Sequence, residues 1–370
     1  MNRQLTVTSA AEYNRVLYGQ MSPAMAVAYL QDNQLPVRTF SDVLHQMYTG
    51  DDLQTRLTDF FLSDMPDVNP QSTARKIKNW LSDKNLPINR EDIFRIGYAL
   101  GFGEAQLDYL LSICTDYGIQ YRDGHDVIYA WFLRNGYAYQ DAREFFDHLP
   151  PAPGLNQIDG VSESHLTKEI QNNFLSVSSK EELRSCYLNN LNKFGCQHLR
   201  AYYYFDKFLS ILIHPVPEWI DTPEPYYSLE TVMQTYLSLC MPSGKNRQNY
   251  SLVQRLIKQN WPNTTAIKNI RSHKVDVPRK LLLLLYVITE DLSVVSDRFS
   301  QKEFEDMTIQ ERVEQHWRTL NAMLADCGMA LLDPRNVTDW LILYAIGAAG
   351  EEEPMSDRLE QVISLMYHDI

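Results

Sequence analysis

The chain has 370 residues, enough for two or three domains that each bury a core. Apolar side chains make up 44% and charged ones 22%, with 22 Tyr and 14 Phe, which excludes a disordered chain. The formal charge is −13, so the body repels phosphate backbones and anionic membranes, and a polyanion can be met only by a local basic patch.

Helical spacing runs through almost every segment and sustained period-two alternation is absent, so an all-α protein is expected. Cys114, Cys186, Cys196, Cys240 and Cys327 lie far apart with no CxxC pair, as expected of free thiols in a reducing compartment. The opening MNRQLTVTSAAEYNR is too polar for a secretory signal, and the longest apolar run, LLLLLYVI at 281–288, is too short to cross a bilayer. A cytoplasmic protein without membrane contact is the expectation.

Residues 1–38 read as an N-terminal extension packing on a first domain at 39–149. Five short helices follow in order: Phe40 to Tyr48, Leu53 to Leu62, Ser72 to Ser82, Arg90 to Leu100 and Glu104 to Ile113. In the fourth, Ile93, Ile96, Ala99 and Leu100 form the apolar stripe, and Gly101 sits where a C-cap glycine belongs. In the third, Ala74, Ile77 and Leu81 are expected inside, leaving Thr73, Arg75, Lys76, Lys78 and Asn79 outside.

The run STARKIKNWLSDKNLPINREDIFRIGYALGF, marked by Ser72, Asp83-Lys84, Pro87 and Ala99-Leu100-Gly101, resembles the third and fourth helices of the lambda-repressor-like, XRE-type helix-turn-helix domain. The segment 121–146 is similar to the helical pair that trails this domain in proteins of Firmicutes type, so the resemblance covers about 39–148. It implies a third helix that enters the major groove of DNA. Carried onto this chain, Gln71, Thr73, Arg75, Lys76 and Asn79 would face base edges, and Lys78 and Lys84 would face phosphates. The family joins its second and third helices by a tight turn, whereas SDMPDVNPQ intervenes here and brings in Asp64 and Asp67. Residues 71–95 carry a net charge of +3.

LPPAPGLNQIDGVSES at 149–164 clusters Pro, Gly and Ser, so residues 150–163 read as a linker and 164–370 as a second all-helical domain. Ser179-Lys-Glu-Glu182 opens a helix with a capping box. In AYYYFDKFL at 201–209, Tyr202, Phe205 and Leu209 share one helical face with Leu212 and read as core, not as a platform for bases. HPVPEWIDTPEPYY at 214–227 is an interhelical loop, and GEEEPM at 349–354 precedes a last short helix.

IKNIRSHKVDVPRK at 267–280 repeats IKNWLSDKNLPINR at 77–90, sharing Ile-Lys-Asn, Ser, Lys and, after one gap, Pro. Around the second copy, nine cations from Lys245 to Lys280 oppose only Asp276, a net of +8 that leaves −21 on the rest of the chain. The second domain is therefore read as holding a degenerate copy of the first unit, with LLLLLYVI as a central buried helix. Lys245, Arg247, Lys268, Asn269, Arg271 and Lys274 join the candidates for nucleic-acid contact. A second account pairs this patch with acidic protein. The tail 290–370 offers 17 acids against 6 bases, and both accounts stay open.

No HxH, HExxH, Cys/His cluster, phosphate-cradling glycine loop or GxSxG occurs, so no catalytic residue, metal or cofactor is expected. The sequence thus points to a non-enzymatic DNA-binding transcriptional regulator of the helix-turn-helix type, acting as a homodimer if it follows the family's two half-sites. The alternative is a protein-interaction or scaffold component of a regulatory or defence assembly that keeps the helical fold without DNA. An RNA-binding module is the third reading.

Overall fold

A computed structural model describes residues 7–32, 34–87, 89–115, 117–152, 166–195, 198–215, 226–243, 250–296, 307–347 and 354–368, and at 166–167 and 291–296 it describes the backbone alone. Among the described residues the fold is all-α, with 19 helices and no strand. Tyr117 and Met329 form an isolated antiparallel bridge. No described helix is long and apolar enough to cross a membrane.

The chain divides into two units. The first comprises residues 38–199 with 328–330. It holds α3 (Phe40–Met47), α4 (Leu53–Asp64), α5 (Pro70–Leu81), α6 (Arg90–Leu100) and α7 (Glu104–Cys114), then α8 (Gly124–Arg134), α9 (Tyr139–Asp147), α10 (Leu166–Leu175) and α11 (Lys180–Asn189). Polar side chains at the starts set these helices. Thr39 and Asp42 close a capping box on α3, Asn69 caps α5, Asn89 caps α6 and Ser179 caps α11. Gly101 ends α6 in the left-handed region at φ 67°, which only glycine enters freely. The core runs through Phe40, Phe61, Ile77, Phe94, Leu107 and Trp131 to Phe174 and Tyr187. α8 is buried on all sides from Asp126 to Leu133.

The second unit is split in sequence: residues 1–37, 200–327 and 331–370. It holds α1 (Val7–Tyr18), α2 (Pro23–Gln31), α12 (Leu199–Ile213) and α13 (Leu229–Val232), which continues as one π-turn at Met233–Leu237. Then come α14 (Leu252–Lys258), α15 (Thr264–Arg271), α16 (Arg279–Ser296), α17 (Ile309–Asp326), α18 (Val337–Gly347) and α19 (Met355–Tyr367). α18 is the axis, contacted by α1, α14, α16, α17 and α19. Leu281 to Ile288 of α16 are all buried, in keeping with an apolar run that has no outward face. Tyr202, Phe205, Leu209 and Leu212 of α12 are core as well.

Two expected boundaries are corrected. The 1–38 extension was expected against the first domain, but α1 packs on α18 and α2 on α19. The break at 150–163, of which 153–163 lies outside the described residues, does not separate the units. Ile170, Phe174, Leu183, Tyr187 and Phe194 beyond it belong to the core of the 38–199 unit, so the change of unit falls at 199–200.

Candidate nucleic-acid interface

α5 begins where Asn69 Oδ1 accepts the amides of Gln71 (2.9 Å) and Ser72 (3.2 Å) ahead of Pro70 in the first turn. Its buried stripe is Thr73, Ile77 and Trp80, with the Trp80 ring meeting Phe61 edge-on at 5.7 Å. Thr73 is therefore not presented to solvent, a correction to the sequence reading, because its i, i+4, i+7 series with Ile77 and Trp80 forms the inward face. Ala74 and Leu81, expected inside, are only half-buried.

Gln71, Arg75, Lys78 and Ser82 recur at i, i+4, i+7 and i+11 along the opposite, exposed face. Lys76 is outward but engaged. Its ammonium lies 2.8 Å from Asp92 Oδ2 and 4.8 Å from the centre of the Trp80 ring. Asn79 is half-buried and Lys84 is exposed in the turn that follows. In that turn Asp83 adopts φ 52°, and the Lys84 amide donates back to Asn79 O at 2.9 Å.

The platform beneath α5 is ionic. Asp64, at the end of α4, accepts Arg95 Nε at 2.6 Å and Gln140 Nε2 at 2.6 Å. The long connection that the sequence showed here thus brings a buried, neutralised Asp64 and one exposed carboxylate, Asp67. Arg95 also approaches Asp92 at 3.6 Å, so α4, α5 and α6 share one charge network. Next to it, His125 Nε2 lies 2.6 Å from Glu91 Oε2 and its ring stacks on Tyr129 at 3.9 Å. Burial works against the charge of His125, yet Asp126 and Glu91 outweigh it and push its pKa up to about 9. Burial likewise opposes the charge of Glu91, and the His125, Tyr139 and Arg95 contacts override it and lower its pKa.

Asp123, His125 and Asp126 bring ligand-type atoms within 4.8 Å of one another. These atoms already have duties. Asp123 caps α8 through the amides of His125 and Asp126, and Asp126 Oδ2 takes the Gln120 amide (2.9 Å) and the Arg90 guanidinium. The positive end of the α8 dipole and the Arg90 guanidinium oppose a metal ion there.

The second basic helix, α15, starts from Asn263, whose Oδ1 accepts the Ala266 amide at 2.9 Å. Lys268, Arg271 and Lys274 are exposed and Asn269 is half-buried. Lys268 pairs with Glu230 of α13, with both side chains 55% exposed, whereas no ion pair engages Arg271 or Lys274 among the described residues. Lys245 and Arg247 lie outside the described residues.

Sequence reasoning missed the network under α5. Its members, Asp64, Lys76, Glu91, Asp92, Arg95 and His125, read singly as surface charges, and only their alternation with the buried Ile93, Phe94 and Ile96 hints at a partly enclosed face. No protein family model matches this chain, and neither the curated proteins nor the solved structures contain a significant match to it.

Proposed function

We propose that this protein is a non-enzymatic, cytoplasmic DNA-binding regulator that meets duplex DNA through the exposed face of α5 and the turn after it. One observation carries the reading. Gln71, Arg75, Lys78 and Ser82 line up along one side of a capped helix that is tied by the half-exposed Lys76–Asp92 pair to a buried Arg95–Asp64 pair. A helix held this rigidly keeps its cations and its amide in a fixed register, as groove reading requires. Lys84 extends the positive edge into the turn. Phosphate contact supplies the affinity, with Arg75, Lys78 and Lys84 each releasing about one counterion.

Fluorescence anisotropy with a random duplex tests this, from low salt upward. The unmodified protein binds, and the three α5 contacts by themselves contribute about −2.7 to the slope of log affinity against log salt. Arg75→Glu with Lys78→Glu weakens binding at least about tenfold at low salt. Undiminished retention of the double variant on DNA removes α5 from the interface. The charge of −13 and the Lys268–Glu230 pair favour a second reading, a scaffold component whose basic helices meet acidic protein. On that reading the purified chain ignores duplex at any salt. Preference for single strands or hairpins in the same titration would point to RNA instead.

A further inference from the structure

The short repeat at 77–84 and 267–274 is one end of a longer correspondence between the two units. Ile77 and Ile267 are buried at 0% and 1%, and Trp80 and Ile270 at 3% and 1%. Ser82 and Ser272 are the C-caps, donating their amides to the lysine carbonyls at 3.1 and 3.0 Å. Asp83 and His273 then turn left-handed at φ 52° and 54°, and the Lys84 and Lys274 amides return to the asparagine carbonyls at 2.9 Å each.

The match continues beyond the turn. Arg90 opens α6 and pairs with Asp126; Arg279 opens α16 and pairs with Asp339. Asp126 and Asp339 both occupy the third position of an 11-residue helix, and each carboxylate also accepts an amide six residues upstream, Gln120 N at 2.9 Å and Asp333 N at 2.8 Å. The caps agree too: Asp123 accepts the amides two and three residues on, and so does Asn336. In sequence this is Cys114 and, after seven residues, Arg122-Asp123-Gly-His-Asp126, against Cys327 and, after seven residues, Arg335-Asn336-Val-Thr-Asp339. So α5, α6, α7 and α8 correspond in order to α15, α16, α17 and α18.

Packing and capping account for the buried and turn positions of the repeat. They do not account for Lys78 matching Lys268, or Lys84 matching Lys274, since all four are exposed and no core contact demands a lysine. An identity kept at exposed positions of two diverged copies points to a shared ligand. We propose that the split unit holds a second duplex-binding element, formed by Lys268, Arg271 and Lys274 on α15 and its turn, equivalent to the α5 element of the 38–199 unit. The inference rests on the DNA reading of α5. The exposed Lys268–Glu230 pair is of the weak, solvated kind, and it exchanges for a phosphate contact.

The test is anisotropy with a random duplex of about 20 base pairs at several salt concentrations, on the full chain. Its variants are Lys78→Gln with Lys84→Gln, Lys268→Gln with Lys274→Gln, and all four together. Each double variant should lower affinity at low salt several-fold and reduce the salt slope by about 1.8, and the quadruple variant should reduce it by about 3.6. Arg271→Gln alone, which leaves the Glu230 pair intact, should reduce the slope by about 0.9. Circular dichroism melts confirm that each variant folds. If the 268/274 and 271 variants bind as the unmodified chain does while the 78/84 variant is weakened, the second element is overturned and the α5 reading survives. A chain that ignores duplex at low salt overturns both.

Discussion

Arg279 and Asp339 meet in a bidentate ion pair, Nη1 to Oδ1 at 2.6 Å and Nη2 to Oδ2 at 2.8 Å, with both side chains almost closed off from water. The pair ties the start of α16 to the start of α18, and Asp339 Oδ2 also fixes the Asp333 amide. Removing one member strands a buried charge. Asp339→Ala should cost about 3–5 kcal/mol in denaturant unfolding, whereas replacing both members by apolar residues of similar volume should cost far less. A loss below about 1 kcal/mol for Asp339→Ala would show that the pair is wetter than its geometry implies.

Two histidines give the units opposite responses to pH. His125 titrates at about 9 in the folded chain against 6.5 unfolded, so its stabilising contribution is complete below 6.5 and is lost as pH rises toward 9. His316 is buried beside Tyr286 at 2.9 Å, and burial, with Arg312, lowers its value from 6.5 to about 4. Its neutral form is the folded one, so stability is complete above 6.5 and is lost as pH falls toward 4. Melting of His125→Gln should therefore lose the alkaline decline, and that of His316→Gln the part of the acid decline between 6.5 and 4. Superimposable pH profiles for all three proteins would contradict both assignments.

Gly347 lets α18 pass close under α1. A Cβ there would stand 2.9 Å from Leu17 Cα and 2.9 Å from Val16 O, which are backbone atoms that cannot swing aside. Gly347→Ala should destabilise the chain by about 1–3 kcal/mol through forced separation of the two helices. Thermal unfolding measures it, and an unchanged midpoint would mean that α1 is free to move off.

Thr73 and Arg75 separate the two faces of α5. Thr73 is 6% exposed and Arg75 is exposed. Thr73→Val should leave duplex affinity unchanged, and Arg75→Ala should weaken it by a few-fold at low salt. The reverse order of effects would mean that α5 approaches DNA by a different side or not at all.

The helical class, the buried α16 run and the repeated Ile-Lys-Asn turn were all legible along the chain, because periodicity, capping and left-handed turns depend on neighbours within a few residues. The second half of the repeat was legible in principle. Cys114 and Cys327 each stand at the same distance before Arg-Asp and Arg-Asn, yet this polar pattern has no period and signals nothing until both aspartates are seen receiving an arginine. Which wedge of α5 turns inward was not legible. Thr73 and Trp80 compete with Ala74 and Leu81, and the Phe61 ring supplied by another helix decides between them.

What local sequence determined, then, is where helices start, stop and turn. Tertiary structure alone decided that residues 1–37 belong with the last helices of the chain, and that a row of surface-type charges closes into a network beneath α5. Both outcomes depend on partners distant in sequence, whose attraction is set by shared burial and mutual desolvation and leaves no periodic mark on either partner's own segment.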